Sequence, residues 1–302
     1  MVDIVSVEAI EQIKSIEKRI EFIQQFSNAN YQNIKVIADL SIQSHDINLI
    51  KQTIELQNSH PNPLNKFGKK CFSQTDEDGL TLEIIKRLKI KGNGIFAEFG
   101  VGNGLENNTL ILAALGWHGF WVGGEDLAIK IEPTKNFTYI KSWITLDNII
   151  ELAQSGLNHL GVDNVDVASL DLDGNDIHFV QKLLESGVTP KLFIVEYNGK
   201  FPPPVKFKIT YDPNHRWVGD DYFGASLASF VELFAKHNYK LVCCNTHTGA
   251  NAFFVHSDYA ASFKDVPADI QNIYVAPRYH LHIKYGHRPS VRVVEEVFKA
   301  IG

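Results

Sequence analysis

Cysteine is scarce in this chain, with three in 302 residues: Cys71, Cys243 and Cys244. An odd count with two neighbours adjacent makes no disulfide framework and fits a reducing compartment. Long apolar runs are missing as well. None reaches the roughly 18 to 20 residues that span a bilayer, so no membrane insertion is expected. Positive charge is not in excess. The formal net charge is −6, which argues against a broad basic surface for nucleic acid or anionic membrane. The opening MVDIVSVEAIEQ has neither a basic n-region nor an apolar h-region, so no signal peptide and a cytoplasmic location are expected. There is no internal repeat and no low-complexity tract. What remains is ordinary globular material, 44% hydrophobic and 21% charged, long enough for one large α/β domain with an appendage.

Two helical patterns open the chain. Ile13, Ile16, Ile20 and Ile23 recur at helical spacing within residues 6–26. Ile34, Ile37, Leu40, Ile47, Ile50 and Ile54 do so within 31–56, and Ser27-Asn28-Ala29-Asn30 between them reads as a turn. Asn58-Ser59-His60-Pro61-Asn62-Pro63 marks a boundary, dividing a helical arm (1–60) from a main domain (61–302). The apolar stripe of the arm must be buried, either on the main domain or in a homodimer. From Lys66 onward, helix and strand alternate. Strands are expected at 94–99, 119–124, 138–145, 165–172 and 191–197, with helices at 77–88, 108–115, 147–153, 176–185 and 226–237. Residues 239–245 and 252–256 close the series as an antiparallel hairpin. The pattern is that of a doubly wound, Rossmann-like α/β sheet with a reversed final pair.

Chemistry concentrates where the first strand ends, in Phe96-Ala97-Glu98-Phe99-Gly100-Val101-Gly102-Asn103-Gly104. Glycines at alternate positions allow a tight turn and close approach of backbone to a ligand. The spacing is G-x-G-x-G rather than the G-x-G-x-x-G that seats a dinucleotide pyrophosphate, which weighs against an NAD-dependent oxidoreductase. Glu98 and Glu106 bracket the loop. Carboxylates there suit a ligand with an ammonium and a sulfonium, such as S-adenosylmethionine. In open α/β sheets ligands bind beyond the carboxyl ends of the strands. That rule selects Gly100 and Gly102 after strand one, Glu125 (or Asp126) after strand two, and Trp143 after strand three. It also selects Asp171, Asp173 and Asn175 after strand four, and Glu196 and Asn198 after strand five.

These motifs resemble the FkbM-type group of class I S-adenosylmethionine-dependent methyltransferases. Ser73-Gln74-Thr75-Asp76-Glu77-Asp78-Gly79 resembles the segment preceding strand one in that group. Asn107-Asn108-Thr109, Gly116-Trp117-His118-Gly119, Leu170-Asp171-Leu172-Asp173-Gly174-Asn175-Asp176, Tyr222-Phe223-Gly224-Ala225-Ser226 and Gly249-Ala250-Asn251-Ala252-Phe253-Phe254 resemble later blocks. The resemblance covers roughly residues 66–258. It implies a seven-stranded sheet and a cofactor set of Gln74, Asp78, Glu98, Gly100, Gly102, Asn108, Thr109, Glu125, Trp143 and Asp171. It further implies O-methylation of a sugar, such as a nucleotide-activated precursor of capsule or lipopolysaccharide. Gly123-Gly124 before Glu125 departs from the pattern and leaves the ribose ligand open by one position.

Methyl transfer to a hydroxyl requires alignment and a destination for the proton. Candidate catalytic residues are Asp171, Asp173 and His215, with Glu196 and His247 also considered. Asp171, Asp173 and Glu196 are candidate ligands for a divalent cation such as Mg²⁺. The segment GKFPPPVKFKITYDPNHRWVGDD after strand five is basic and aromatic and reads as an acceptor lid. Its candidate substrate residues are Lys206, Tyr211, Arg216, Trp217 and Tyr222, together with Asn198. Arg278, His280, His282, His287 and Arg288 form a polar tail cluster, and Cys243-Cys244 reads as core. Rival readings are a methyltransferase for another small-molecule hydroxyl or amine, and a non-catalytic assembly protein with a vestigial pocket.

Overall fold

The computed structural model describes residues 7–90, 92–279 and 291–301. The chain forms two compact units, residues 1–51 and 52–302. The first 60 residues contain neither glycine nor proline, and among them Val7–Ser59 forms one uninterrupted helix, α1. The turn expected at residues 27–30 is therefore absent. Serine and asparagine cost a helix only about 0.7 kcal/mol each or less, too little to end it without a backbone breaker.

The second unit is built on a seven-stranded sheet. Its strands are β1 (Ile95–Phe99), β2 (His118–Gly123), β3 (Phe137–Lys141), β4 (Val167–Leu170), β5 (Leu192–Glu196), β6 (Tyr239–Cys244) and β7 (Asn251–His256). They lie in the order β3-β2-β1-β4-β5-β7-β6. The first five strands are parallel, and β7 runs antiparallel between β5 and β6. This is a mixed Rossmann-like sheet with a reversed final pair, as the sequence pattern predicts. The helices are α2 (Glu77–Arg87), α3 (Leu110–Ala114), α4 (Ile149–Leu160), α5 (Asp176–Glu185), α6 (Leu227–Lys236) and α7 (Val291–Ile301).

Parallel strands covered on both faces must be apolar nearly throughout. Phe96, Ala97, Phe99, Phe120, Trp121, Val122, Val167, Leu170, Phe193 and Ile194 are accordingly buried. Two glycines allow unusually close packing. Gly119 sits opposite Phe96 in register, and a Cβ there would meet the Phe96 ring at 2.4 Å. Gly156 lets α4 lie on the Phe120 ring in the same way. Cys243 and Cys244 are buried in β6, as read. The tail supplies α7, whose Phe298 ring lies 4.4 Å from that of Phe137 and 5.0 Å from that of Trp121. Of the polar tail cluster, His280, His282, His287 and Arg288 lie outside the described residues.

The strand order reverses between β1 and β4. Connections leave in opposite directions there, so a crevice opens beyond their carboxyl ends. The glycine loop and the Asp171–Asp173 segment both enter that crevice.

Candidate active site

The crevice is a cleft of about 510 Å³, lined among others by Gly100, Gly102, Glu125, Trp143, Asp171, Asp173, His215 and Arg216. Gly100 has φ +93°, and a Cβ on it would sit 1.7 Å from the Asp171 carbonyl oxygen. A side chain is excluded there, so β1 and the β4 loop touch backbone to backbone. Gly102 has φ +51° and nothing within 4 Å of where a Cβ would be. Its bare backbone faces open cleft, which is the geometry of a ligand cradle.

The two acidic residues after β2 diverge. Asp126 is exposed and pairs with Lys141 at 2.6 Å, whereas Glu125 lines the cleft. The Tyr139 hydroxyl lies 3.0 Å from the Gly123 carbonyl and 2.5 Å from the Glu125 carbonyl, pinning the turn that presents Glu125. Beyond β3, Trp143 donates its indole N–H to the Pro213 carbonyl at 3.0 Å, and the Arg216 guanidinium lies 5.0 Å from its ring centre. Ile144, Leu172 and Phe179 complete an apolar wall beside this aromatic plate.

Strand β4 ends at Leu170, two residues earlier than read, so Asp171 and Asp173 share no strand face. A turn brings them together instead. Asp176, fully buried at the start of α5, accepts from the backbone N–H groups of Leu172 and Gly174, both at 2.8 Å. Asp173 takes the left-handed conformation at φ +52°. Asp171, Asp173 and Glu196 each bring a carboxylate oxygen within 4.8 Å of the others. Glu196 Oε2 and His215 Nε2 are buried without a hydrogen-bond partner among the described residues.

Like charges so close raise one another's proton affinity. Burial, then Asp176 and Asp173, holds Asp171 well above the usual carboxylate range. Burial, then Asp171 and Asp176, does the same to Glu196. Burial followed by Glu125 raises Asp173. Burial pushes Asp176 up to about 6. The cleft thus concentrates negative charge that calls for a cation or protons. Oxygen donors alone, in a half-buried cluster, fit a hard divalent ion.

Several other sequence candidates have partners within the scaffold. Glu98 is buried and accepts from the Asn108 and Thr109 backbone N–H groups, both at 3.0 Å, and from the Thr109 hydroxyl at 2.5 Å. Glu106 is exposed, 3.9 Å from Lys70. The cleft's acidity therefore comes from the ends of β2 and β4, with Glu196 of β5 beside Asp171 and Asp173, rather than from the pair that brackets the glycines. Asn108 also donates to Ser169. Asp78 accepts from the backbone N–H groups of Cys71, Phe72 and Ser73. Gln74 is exposed, outside this cleft lining, and its carbonyl accepts from Lys70 at 2.6 Å.

Asn198 is fully buried and donates to the Asp221 and Phe223 carbonyls. Lys206 pairs with Glu232 at 2.8 Å in a separate groove along α6. The Tyr211 hydroxyl accepts from the Leu146 N–H at 2.9 Å. Trp217 lines the cleft and donates to the Asp220 carbonyl at 2.7 Å. The Tyr222 ring stands 6.3 Å from that of His215. His247 is buried away from the cleft, its Nδ1 2.9 Å from the Thr53 hydroxyl. Asp176 and Tyr139 were not singled out from sequence. Asp176 carried a signal, as the last acid of the Asp171–Asp176 segment just before a helix; Tyr139 carried none.

No protein-family model matches the chain, and no curated protein does. Solved structures similar to it include a precorrin-6y C5,15-methyltransferase from Geobacter metallireducens GS-15, at 11% identity and TM-score 0.33 over 62% of this chain and 92% of that one. Another is the MycE methyltransferase of the mycinamycin pathway in complex with Mg, SAH and mycinamycin VI, at 12% identity and TM-score 0.31 over 58% of this chain and 45% of that one. A third is the glycopeptide N-methyltransferase MtfA complexed with S-adenosylmethionine, at 10% identity and TM-score 0.31 over 58% of this chain and 92% of that one. At these identities and scores the likeness is one of fold, and no ligand or reaction of those proteins passes to this chain with it.

Proposed function

We propose that the protein transfers a methyl group from S-adenosylmethionine to a hydroxyl of a sugar. The observation that carries this reading is that Asp171 and Asp173 line one cleft with the bare Gly100–Gly102 backbone while Glu196 brings a carboxylate oxygen within 4.8 Å of both. Gly102 leaves room for a ligand against the main chain. Glu125, the ribose candidate, lies on the cleft wall, and Trp143 with Ile144 offers a flat apolar face for an adenine. Arg216 is the single Lys or Arg lining the cleft among the described residues, against three acids. That balance disfavours a pyrophosphate and suits a sulfonium. Bound there, S-adenosylmethionine supplies an electrophilic methyl carbon.

Asp171, Asp173 and Glu196 would hold a divalent cation, whose charge would lower the pKa of a coordinated hydroxyl. Alignment of the acceptor then falls to the cleft walls, where in-line geometry alone contributes much of the rate. A carboxylate of the triad would take the hydroxyl proton, or His215 Nε2, buried here without a partner among the described residues, would do so once the bound acceptor displaces its cover. Trp217 with Arg216 presents aromatic and cationic surface on the cleft wall, as a sugar joined to a nucleotide would require, and Tyr222 stands behind them beside His215. A capsule or lipopolysaccharide precursor as the acceptor follows from the sequence resemblance alone.

The test is transfer from methyl-labelled S-adenosylmethionine to a panel of nucleotide-activated sugars, free sugars, phenols and amines, with Mg²⁺ or with EDTA. Label should appear on a sugar hydroxyl and disappear in Asp173→Asn while S-adenosylhomocysteine still binds. Label confined to a phenol or amine would replace the sugar reading. Binding without transfer to any acceptor would count against an enzyme.

A further inference from the structure

Helix α1 carries an apolar stripe that nothing among the described residues of 1–51 covers. Ile13, Ile16, Ile20, Ile23, Ile34 and Ile37 are between 48% and 66% exposed. A lone helix gains little from its backbone in water, and a contiguous apolar surface of this kind marks an interaction site. The spacing of the stripe says what kind. Positions 13, 20, 27, 34 and 41 form one series seven residues apart, and 16, 23, 30, 37 and 44 form the other. The first reads Ile, Ile, Ser, Ile, Ser and the second Ile, Ile, Asn, Ile, Ser. A seven-residue repeat drifts about 20° per repeat around a straight α-helix. It stays on one seam only if the helix supercoils left-handedly around a partner with the same repeat. This chain itself provides that repeat.

The polar residues in the seam choose the orientation. With two copies parallel and in register, Ser27 meets Ser27 and Asn30 meets Asn30, so hydroxyl and amide find partners. If the two isoleucine blocks are overlaid antiparallel, Asn30 faces Ile20 and Ser27 faces Ile23, burying polar groups against hydrocarbon. The flanks agree. In the parallel arrangement Gln12 lies beside Glu17, Arg19 beside Gln24, Phe26 beside Tyr31 and Asn33 beside Ala38. No like charges meet. Phe26 and Tyr31, 60% and 66% exposed in the single chain, gain an apolar neighbour.

We infer that residues 13–37 of α1 form a parallel, in-register coiled coil with further copies of this chain. Isoleucine at both core positions favours three strands over two, so a trimer is the expected species. The assignment does not depend on the reaction proposed above.

Light scattering on the eluting full chain should give about three times the 34.0 kDa monomer mass. The double variant Ile20→Asp, Ile34→Asp should elute at the monomer mass with its near-UV circular dichroism unchanged. That spectrum separates loss of assembly from loss of fold. In a Cys71→Ser background, Ser27→Cys should form an interchain disulfide on oxidation, and Gln25→Cys, on the outer face, should not. A wild-type monomer at tens of micromolar would overturn the inference. Cross-linking by Gln25→Cys but not by Ser27→Cys would overturn the register. A mass of two chains with the Ser27→Cys bridge intact would keep the coiled coil and overturn the strand count.

Discussion

Gly100 and Gly102 look alike in the sequence and differ in what a side chain would meet. Both hold positive φ, but only at Gly100 would a Cβ strike backbone, 1.7 Å from the Asp171 carbonyl. Gly100→Ala should therefore cost on the order of 2–4 kcal/mol through strain and forced backbone movement. Gly102→Ala should cost only about 1 kcal/mol, the left-handed penalty. Urea titration of both variants checks the contrast, and equal midpoints would remove the close contact. The acidic cluster sets a second test. Asp176 has a native pKa of about 6, above the roughly 3.9 of an unfolded Asp, so the native state holds the proton more tightly. The stability this gives is complete below about pH 4 and is lost as pH rises through about 6. Asp171 and Glu196 shift in the same direction. In EDTA the melting temperature should therefore fall from about pH 5 to pH 8. Asp171→Asn, or Mg²⁺ on the wild type, should flatten that fall in calorimetry. A slope that neither changes would mean the cluster is neutralised some other way.

At the scale of elements, the sequence was most legible where period and burial coincide. The continuous apolar runs of β1, β4 and β5 and the alternating helices were placed to within a few residues, except that α4 runs to Leu160, seven residues past its expected end. Boundaries were less legible because partners distant in sequence set them. After Leu170 only the Asp171 N–H still reaches β1, at the Phe99 carbonyl; Asp176 captures the N–H groups of Leu172 and Gly174, and that capture draws Asp171 and Asp173 to one point. Helix α1 runs through Ser27–Asn30 because polar residues without glycine or proline do not break a helix. The buried polar junction around Asp76 had no local signal at all. Asp76 accepts from Gln57 Nε2 at 3.0 Å, from the Thr246 and His247 N–H groups at 3.1 Å and from Asn245 Nδ2 at 3.2 Å. It thereby ties the last turns of α1 and the start of α2 to the loop between β6 and β7. Asp76→Asn turns an amide toward those donors and should cost about 2–3 kcal/mol. At roughly 2–4 °C per kcal/mol for a unit of this size, the melting temperature should drop by about 4–12 °C. An unchanged melting curve would mean that the junction adapts and the four donors find other acceptors.

At the scale of the molecule, the fold followed from the sequence because many weak signals agree, and the ligand did so less well because it depends on where charge accumulates. The glycine spacing pointed away from a dinucleotide. The two acids beside the glycines were the wrong source for the cleft's charge, since Glu98 caps the segment leading into α3 and Glu106 pairs with Lys70. The sign of the field was nevertheless the expected one, because Glu125 after β2 and Asp171 and Asp173 after β4 come from two loops that only the sheet order brings together. A ligand seated among those loops joins β1, β2 and β4 through contacts that the unfolded chain cannot offer. Its binding energy must then appear as stability of the whole unit that holds the cleft. At a hundredfold excess over its dissociation constant, S-adenosylhomocysteine should add about 2.7 kcal/mol. For a unit of this size that is a rise of roughly 5–11 °C in melting temperature. NAD, whose pyrophosphate would face three carboxylates, should raise it by nothing measurable at the same concentration. Differential scanning calorimetry with each ligand decides the matter. With EDTA present, a shift with NAD alone would sink the cofactor assignment, because carboxylates without a bound cation repel a pyrophosphate.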